Sequence, residues 1–233
     1  MNDTSLVIPV YNEEENLDRL LLNVKNSNLY DSLNNILIVD DCSTDDSLNK
    51  IKNLSKKYSK IIYERNTKNM GQSYSIHFAA SILKENILIT IDGDCQNDPK
   101  DAIKLLNAYK NNPNIYLVGG IRVKRQDIFV KKISSKIANW YRKKILDDNC
   151  DDTGCALKVF DRKQFLEFPF FNGMHRFLPA LFKGFKKDTM FLEVNHFPRK
   201  FGNSKYGIFD RLFVGIIDTY KVKKIIKKYR ENG

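Results

Sequence analysis

Short β-branched apolar runs alternate with longer amphipathic stretches through the first 120 residues, and few chain traces satisfy that rhythm. Strand patterns separated by helix patterns make each strand return parallel to the last through a crossover helix, in a sheet covered on both faces. The strand-like runs are residues 5–10, 35–40, 61–64, 86–91 and 115–118. Apolar residues at helical spacing mark 14–24, 46–58, 72–83 and 100–109 as the crossovers. Asn12 stands three residues before Glu15 and Ser43 three before Asp46, so each pair is expected to cap its own helix reciprocally. Both helices then begin just beyond a strand's carboxyl end, where open parallel sheets bind ligands and helix N-termini favour anions.

After Gly120 the alternation stops. A helical stretch near 129–146, a strand-like 156–160, a helix near 176–182 and a strand near 190–197 are expected to cover the crevice and bind a second substrate. The expected organisation is one catalytic domain over 1–205, with a nucleotide-binding half at 1–120 and an acceptor half at 121–205, then an amphipathic basic segment at 206–233. In that last segment Leu212, Phe213, Ile216, Ile217 and Tyr220 form one helical stripe, and Val222, Ile225, Ile226 and Tyr229 form another about half a turn away. One straight helix does not bury both stripes against a single surface, so a break is predicted near Tyr220 and Lys221.

The formal net charge of +11 calls for a polyanionic partner, and its densest run is Lys221, Lys223, Lys224, Lys227, Lys228 and Arg230. Apolar on one side and basic around it, that piece has the composition of an interfacial helix on anionic lipid. No run of about 18 apolar residues and no basic-then-apolar leader occurs, so neither a membrane span nor an export signal is expected. Four scattered cysteines, Cys42, Cys95, Cys150 and Cys155, fit a reducing cytosol and lack a second Cys or His pair for zinc.

The most informative segment is ILITIDGDCQNDP at residues 87–99, a buried-strand pattern running directly into three carboxylates, a Gln and an Asn. Asp92 and Asp94 are hard oxygen ligands suited to Mg²⁺ or Mn²⁺, which bridges the phosphates of a nucleotide-sugar and offsets charge on the leaving diphosphate. Asp40 and Asp41 end the second strand run, and Asn12 and Glu13 follow the first, so three strand ends converge on one crevice. Asp40 or Asp41 is placed to accept hydrogen bonds from a ribose or base, or to cap the helix after Ser43. The glycine-rich fingerprints of dinucleotide folds and phosphate-cradling loops are missing, which argues against a dehydrogenase or an ATPase. Acids in the crevice argue against nucleic acid.

In order, VIPVYNEEENL, IVDDCSTDDS, RNTKNMGQS, ITIDGDCQNDP and VGGIRVKRQD resemble the signature blocks of glycosyltransferase family 2. DTGCALKVFDR, GMHRFLPAL, RKFGNSKYG and RLFVGIIDTYKVKKI are similar to the branch of dolichyl-phosphate mannose synthases and bacterial polyprenyl-phosphate glycosyltransferases. The resemblance implies the A-type glycosyltransferase fold, α/β and Rossmann-like, with C-terminal amphipathic helices. It implies Pro9, Tyr11, Glu13, Asp40 and Asp41 around the nucleotide-sugar, Asp92 and Asp94 on the metal, and Gln96 beside them. It also implies phosphate-facing Arg122, Arg125, Arg199, Ser204 and Lys205, the forked donors of Arg suiting phosphate.

Two departures stand out. Cys42 occupies a position where the family usually has Gly, which a small residue tolerates unless the backbone there needs positive φ. The long apolar C-terminal helices of many polyprenyl-phosphate members are missing, leaving membrane contact to the basic helix, to the surface around Phe168, Phe170 and Phe171, or to a membrane partner protein. His175 and Arg176 sit in GMHRFLPAL, where hydroxyl-directed relatives carry an acidic base and this chain has no Glu-Asp pair. An acceptor phosphate is already anionic and needs no base, so His175 and Arg176 are read as acceptor-phosphate contacts, although His175 also suits a structural role and His77 more so. The expected reaction is transfer from a GDP- or UDP-sugar to a polyprenyl phosphate, with inversion, on the cytoplasmic face of a membrane. The alternatives are extension of a glycan hydroxyl with Asp151 or Asp152 as base, and a non-catalytic membrane-binding module.

Overall fold

A computed structural model describes residues 3–123, 141–199 and 208–232, with side chains in the last segment described over 215–231. Among them are β1 Thr4–Val10, β2 Asn35–Asp40, β3 Ile61–Arg65, β4 Ile87–Thr90, β5 Ile115–Arg122, β6 Lys158–Asp161 and β7 Asp188–Val194. They form one seven-stranded sheet in the order β3-β2-β1-β4-β6-β5-β7. β1 pairs in parallel with β2 and β4, β2 with β3, and β5 with β7. Only β6 runs antiparallel, wedged between β4 and β5.

The helices are α1 Glu14–Asn26, α2 Leu29–Ser32, α3 Ser47–Lys57, α4 Gln72–Ile82, α5 Pro99–Lys110, α6 Arg162–Leu166, α7 Leu178–Gly184 and α8 Ile208–Asn232, with a 3₁₀ turn at Met174–Arg176. Residues 141–146 are also helical, and the rest of the stretch expected near 129–146 lies outside the described residues. The central strands β1, β2, β4 and β6 are buried on both faces, as in parallel sheets, whereas the edge strand β3 is largely exposed and the edge strand β7 mostly half-buried. Leu6 and Ile8 pack with α1, α3 and α5 on one side. Val7, Leu37, Val39 and Leu88 pack on the other against α4, α6, α7 and α8 through Phe160, Phe165, Phe168 and Phe182. Phe168 and Phe171 are core residues, whereas Phe170 is 42% exposed.

Two local expectations are corrected. Helix α8 runs unbroken through Tyr220 and Lys221. It buries Val222 and Ile226 and leaves Ile216, Ile217 and Tyr220 exposed, so these residues do not compete for one surface; the side chains of Leu212 and Phe213 lie outside the described residues. Gly184 makes room for Ile226, Tyr229 stacks on Phe185 at 3.8 Å, and Asp218 pairs with Arg176 at 3.3 Å. No helix among the described residues is long and apolar enough to cross a membrane. The second correction concerns capping. Neither Glu13 before α1 nor Asp46 before α3 caps its own helix with its side chain. The two loops cap each other: Glu13 N donates to Ser47 Oγ at 2.9 Å and Glu14 N to Asp45 Oδ2 at 3.2 Å, while Asp46 N donates to Glu14 Oε2 at 2.6 Å. Parallel neighbours bring two helix starts side by side, so free N–H groups find partners across strands as well as within them.

Candidate active site at the carboxyl edge of the sheet

The loops after β1, β2, β3 and β4 meet at one edge. The first two are stitched by Asn12, whose N–H donates to Ser43 Oγ at 3.0 Å and whose Oδ1 accepts from Thr44 N at 2.8 Å. Asn12 and Cys42 both adopt positive φ, 55° and 61°. Cys42 therefore occupies a left-handed position after all, and a small side chain is tolerated there at a cost of about 1–2 kcal/mol that Gly avoids.

The adjacent acids Asp40 and Asp41 are both buried and do different things. Asp40 accepts from Ser43 N at 3.2 Å and pairs with Arg65 at 3.3 Å. Asp41 accepts from Asn66 Nδ2 at 2.7 Å and from Met70 N and Gly71 N at 2.8 Å each, so it holds the loop that starts α4. That loop needs Gly71, at φ 87°. The first residue of α4, Gln72, then donates to Asp92 Oδ1 at 2.7 Å.

Asp92 and Asp94 emerge from β4 at the mouth of the crevice, beside Glu13. Desolvation, and then the neighbouring Asp94 charge, push the Asp92 carboxyl up to about 7 against the opposing pull of Lys158, Arg122 and Arg199. Arg199 reaches in from beyond β7 and bridges Asp94 Oδ2 at 2.9 Å and Glu13 Oε1 at 3.1 Å. Its approach is fixed by pairing of Asn97 with His196 and by Gln96, which donates to Phe197 O at 3.1 Å. Pro9 and Tyr11 are half-buried at the same edge.

The carboxylate pair fits a divalent cation: its donors are hard oxygens only, and the Asp94 charge raises the cost of ionising Asp92. Among the described residues no cluster of three His, Cys, Asp or Glu forms a metal site. Mg²⁺ and Mn²⁺ are commonly held by one or two carboxylates, with substrate phosphates and water completing the shell.

Other expected residues are placed elsewhere. Arg122 forms a two-pronged pair with Asp152, Nε to Oδ2 at 2.6 Å and Nη2 to Oδ1 at 2.7 Å. Asp151 pairs with Lys143. His175 and Arg176 lie on the 3₁₀ turn after Gly173, Arg176 on Asp218 and His175 on Ser73. Burial, then Arg176 and Lys158, hold His175 well below the usual imidazole range, so it is neutral. Arg125, Ser204 and Lys205 lie outside the described residues. Sequence reasoning missed Gln72, Ser73 and Lys158. Lys158 is 4% exposed on β6, its ammonium donating to Cys155 O and its charge felt by Asp92, with burial pushing its pKa down. A lysine inside the apolar run ALKVF is the signal that could have found it.

The family model for Glycosyl transferase family 2 matches residues 5–170. A dodecaprenyl-phosphate galacturonate synthase of Rhizobium johnstonii is 31% identical over 94% of this chain and 66% of its own length. An undecaprenyl-phosphate 4-deoxy-4-formamido-L-arabinose transferase of Aeromonas hydrophila is 33% identical over 89% of this chain and 65% of its own. The chain thus spans just under two thirds of the length of these relatives. Among solved structures, glucosyl-3-phosphoglycerate synthase of Mycobacterium tuberculosis superposes with a TM-score of 0.71 at 15% identity, covering 93% of this chain and 79% of its own. Another structure of that enzyme holds Mn²⁺, uridine diphosphate and glucosyl-3-phosphoglycerate. Mannosyl-3-phosphoglycerate synthase of Rubrobacter xylanophilus superposes with a TM-score of 0.70 at 15% identity, covering 99% of this chain and 74% of its own. These likenesses establish the A-type glycosyltransferase fold.

Proposed function

Because the chain belongs to glycosyltransferase family 2, we propose that it moves a sugar from a nucleotide-sugar to a polyprenyl phosphate at the cytoplasmic face of a membrane. The observation that carries this reading is the pairing of the Arg199 guanidinium with both Glu13 and Asp94, beside an Asp92 that feels its charge. A crevice that gathers these acids with the forked donors of an arginine suits a diphosphate and its counter-cation. Asp92 and Asp94 are the residues that would hold Mg²⁺ or Mn²⁺, which when bound offsets charge on the departing diphosphate.

An acceptor phosphate oxygen forms a bond to the anomeric carbon as the bond from that carbon to the nucleoside diphosphate breaks, and the bonding electrons leave with the diphosphate. The attacking oxygen is already anionic, so no proton has to be removed. The pairing of Asp151 with Lys143 and the occupation of both Asp152 oxygens by Arg122 support this choice over a glycan hydroxyl, for which Asp151 or Asp152 would have to act as base. The acceptor end is formed by His175 and Arg176, with Arg122, Arg199 and the sequence positions Arg125, Ser204 and Lys205 assigned to phosphates. The polyprenyl acceptor follows the relatives, whose names specify dodecaprenyl and undecaprenyl phosphate. Membrane contact is assigned to the face of α8 that carries exposed Ile216, Ile217 and Tyr220 beside Lys223, Lys224 and Lys227.

The test is transfer by purified protein with a panel of UDP- and GDP-sugars, Mn²⁺ or Mg²⁺ and a short polyprenyl phosphate, beside Asp94→Ala. Metal-dependent formation of a glycolipid, lost in the variant, is expected. Extension of a glycan hydroxyl with no transfer to any lipid phosphate would overturn the reading.

A further inference from the structure

The second residue of α4, Ser73, is 3% exposed and faces the turn that follows Gly173. Its Oγ lies 3.0 Å from Gly173 N, 3.3 Å from His175 N and 2.6 Å from His175 Nδ1. The two backbone N–H groups can only donate, so the hydroxyl accepts from both. A hydroxyl has two lone pairs and one proton. With both lone pairs taken, the Ser73 proton is left to donate to Nδ1, and a ring nitrogen that accepts carries no hydrogen of its own. In neutral His175 the ring proton is therefore on Nε2.

We infer that Ser73 is a positioning residue that fixes His175 as the Nε2–H tautomer, making it a neutral hydrogen-bond donor to the acceptor phosphate. The neutrality has a use. An imidazolium would draw charge from the phosphate and blunt its attacking oxygen, whereas a neutral N–H orients the group and leaves its charge on it. The placement has a use as well. Ser73 follows Gln72, which bonds Asp92, so the first two residues of α4 hold the metal-side carboxylate and the acceptor turn in one register. The inference rests on the acceptor being a phosphate bound at this turn.

The experiment combines long-range ¹H–¹⁵N NMR of ring-labelled protein at neutral pH with kinetics of Ser73→Ala and Ser73→Thr. The chain has three histidines, and His175→Gln assigns the signals of the one at issue. In the unaltered protein His175 is expected to have a bare Nδ1 and a protonated Nε2. Ser73→Ala should mix the tautomers and raise the acceptor KM roughly three- to tenfold, the worth of one neutral hydrogen bond, with nucleoside diphosphate affinity changed less than about twofold. Ser73→Thr keeps the hydroxyl and should restore both readouts. A protonated Nδ1 in the unaltered protein overturns the inference, and so does a loss in Ser73→Ala that falls equally on donor and acceptor. Protein that glycosylates no lipid phosphate would sink the reaction proposed above, while the NMR spectrum, which needs no turnover, still decides the tautomer.

Discussion

Gly184→Ala reports by its sign whether α8 is docked on the domain in solution. A Cβ at Gly184 would lie 2.4 Å from Ile226 Cγ1, 2.5 Å from Cδ1 and 2.9 Å from Cγ2, against an ordinary carbon–carbon contact of about 3.5–4.0 Å. Ile is β-branched, with γ carbons in two of the three staggered positions, so no χ1 rotamer clears both crowded sites. The backbone of α8 has to retreat, and overpacking of that kind costs about 1–3 kcal/mol. Were α8 undocked, the same substitution in a helical residue without positive φ would stabilise α7 by up to about 1 kcal/mol through propensity alone. The two cases differ in sign. Urea unfolding followed by circular dichroism should give a lower midpoint for Gly184→Ala, and in an Ile226→Ala background the same substitution should become neutral or stabilising. Ile226→Ala alone should cost about 2–5 kcal/mol, and the cycle should show coupling of about 0.5–3 kcal/mol. A stabilising Gly184→Ala, or strict additivity with Ile226→Ala, would refute the packing of α8 on α7.

Three further outcomes are expected. With Cys42 at φ 61°, Cys42→Gly should be neutral or stabilising by up to about 1 kcal/mol and Cys42→Val should destabilise, measured as Tm; a valine tolerated as well as glycine would remove the backbone argument. The Asp92 carboxyl is raised from 3.8 to about 7, so in chelator the folded state binds that proton more tightly than the unfolded chain, and the Asp92 contribution is most favourable below about pH 4 and lost as pH rises through 7. Asp92→Asn should therefore gain stability relative to the unaltered protein at pH 8 and not at pH 4, and equal differences at both would exclude the raised carboxyl. Ile217→Ser with Ile216→Ser should weaken sedimentation with anionic vesicles even at high salt, while Lys223→Gln with Lys227→Gln should weaken it mainly at low salt; binding unchanged in both pairs would rule out this face of α8.

How much of this was legible depends on the range of the interactions. β1, β2 and β5 begin within a residue of their sequence patterns because strands buried on both faces must be continuous apolar runs, and β3, exposed beyond Ile61, begins on its pattern too. Convergence of Glu13, Asp40, Asp41, Asp92 and Asp94 on one edge was legible too, since parallel topology puts successive strand ends together. What pairs with what was not. Arg122 and Asp152 are thirty residues apart, and the cost of leaving either charge buried and unpaired makes them partners, which no local pattern announces. The break expected in α8 failed for a related reason: it assumed that every apolar stripe must be buried, whereas Ile216, Ile217 and Tyr220 stay 38–54% exposed.

The same long-range bonds explain how a crevice and a distant helix can act together. Asp41 fixes Met70 N and Gly71 N, which sets the start of α4. From that start Gln72 holds Asp92 and Ser73 holds the turn at 173–175. Arg176, next in that turn, pairs with Asp218 of α8, whose far end rests on α7 through Ile226 and on Phe185 through Tyr229. Each link is a hydrogen bond, an ion pair or a close contact between otherwise rigid elements. A shift of α8 therefore reaches the turn at 173–175 before it reaches Asp92. Asp41 stands at the other end of that route with both carboxylate oxygens engaged by protein. Of the two adjacent acids at the end of β2, Asp41 spends its charge on architecture, whereas Asp40 accepts from Ser43 N and pairs with Arg65.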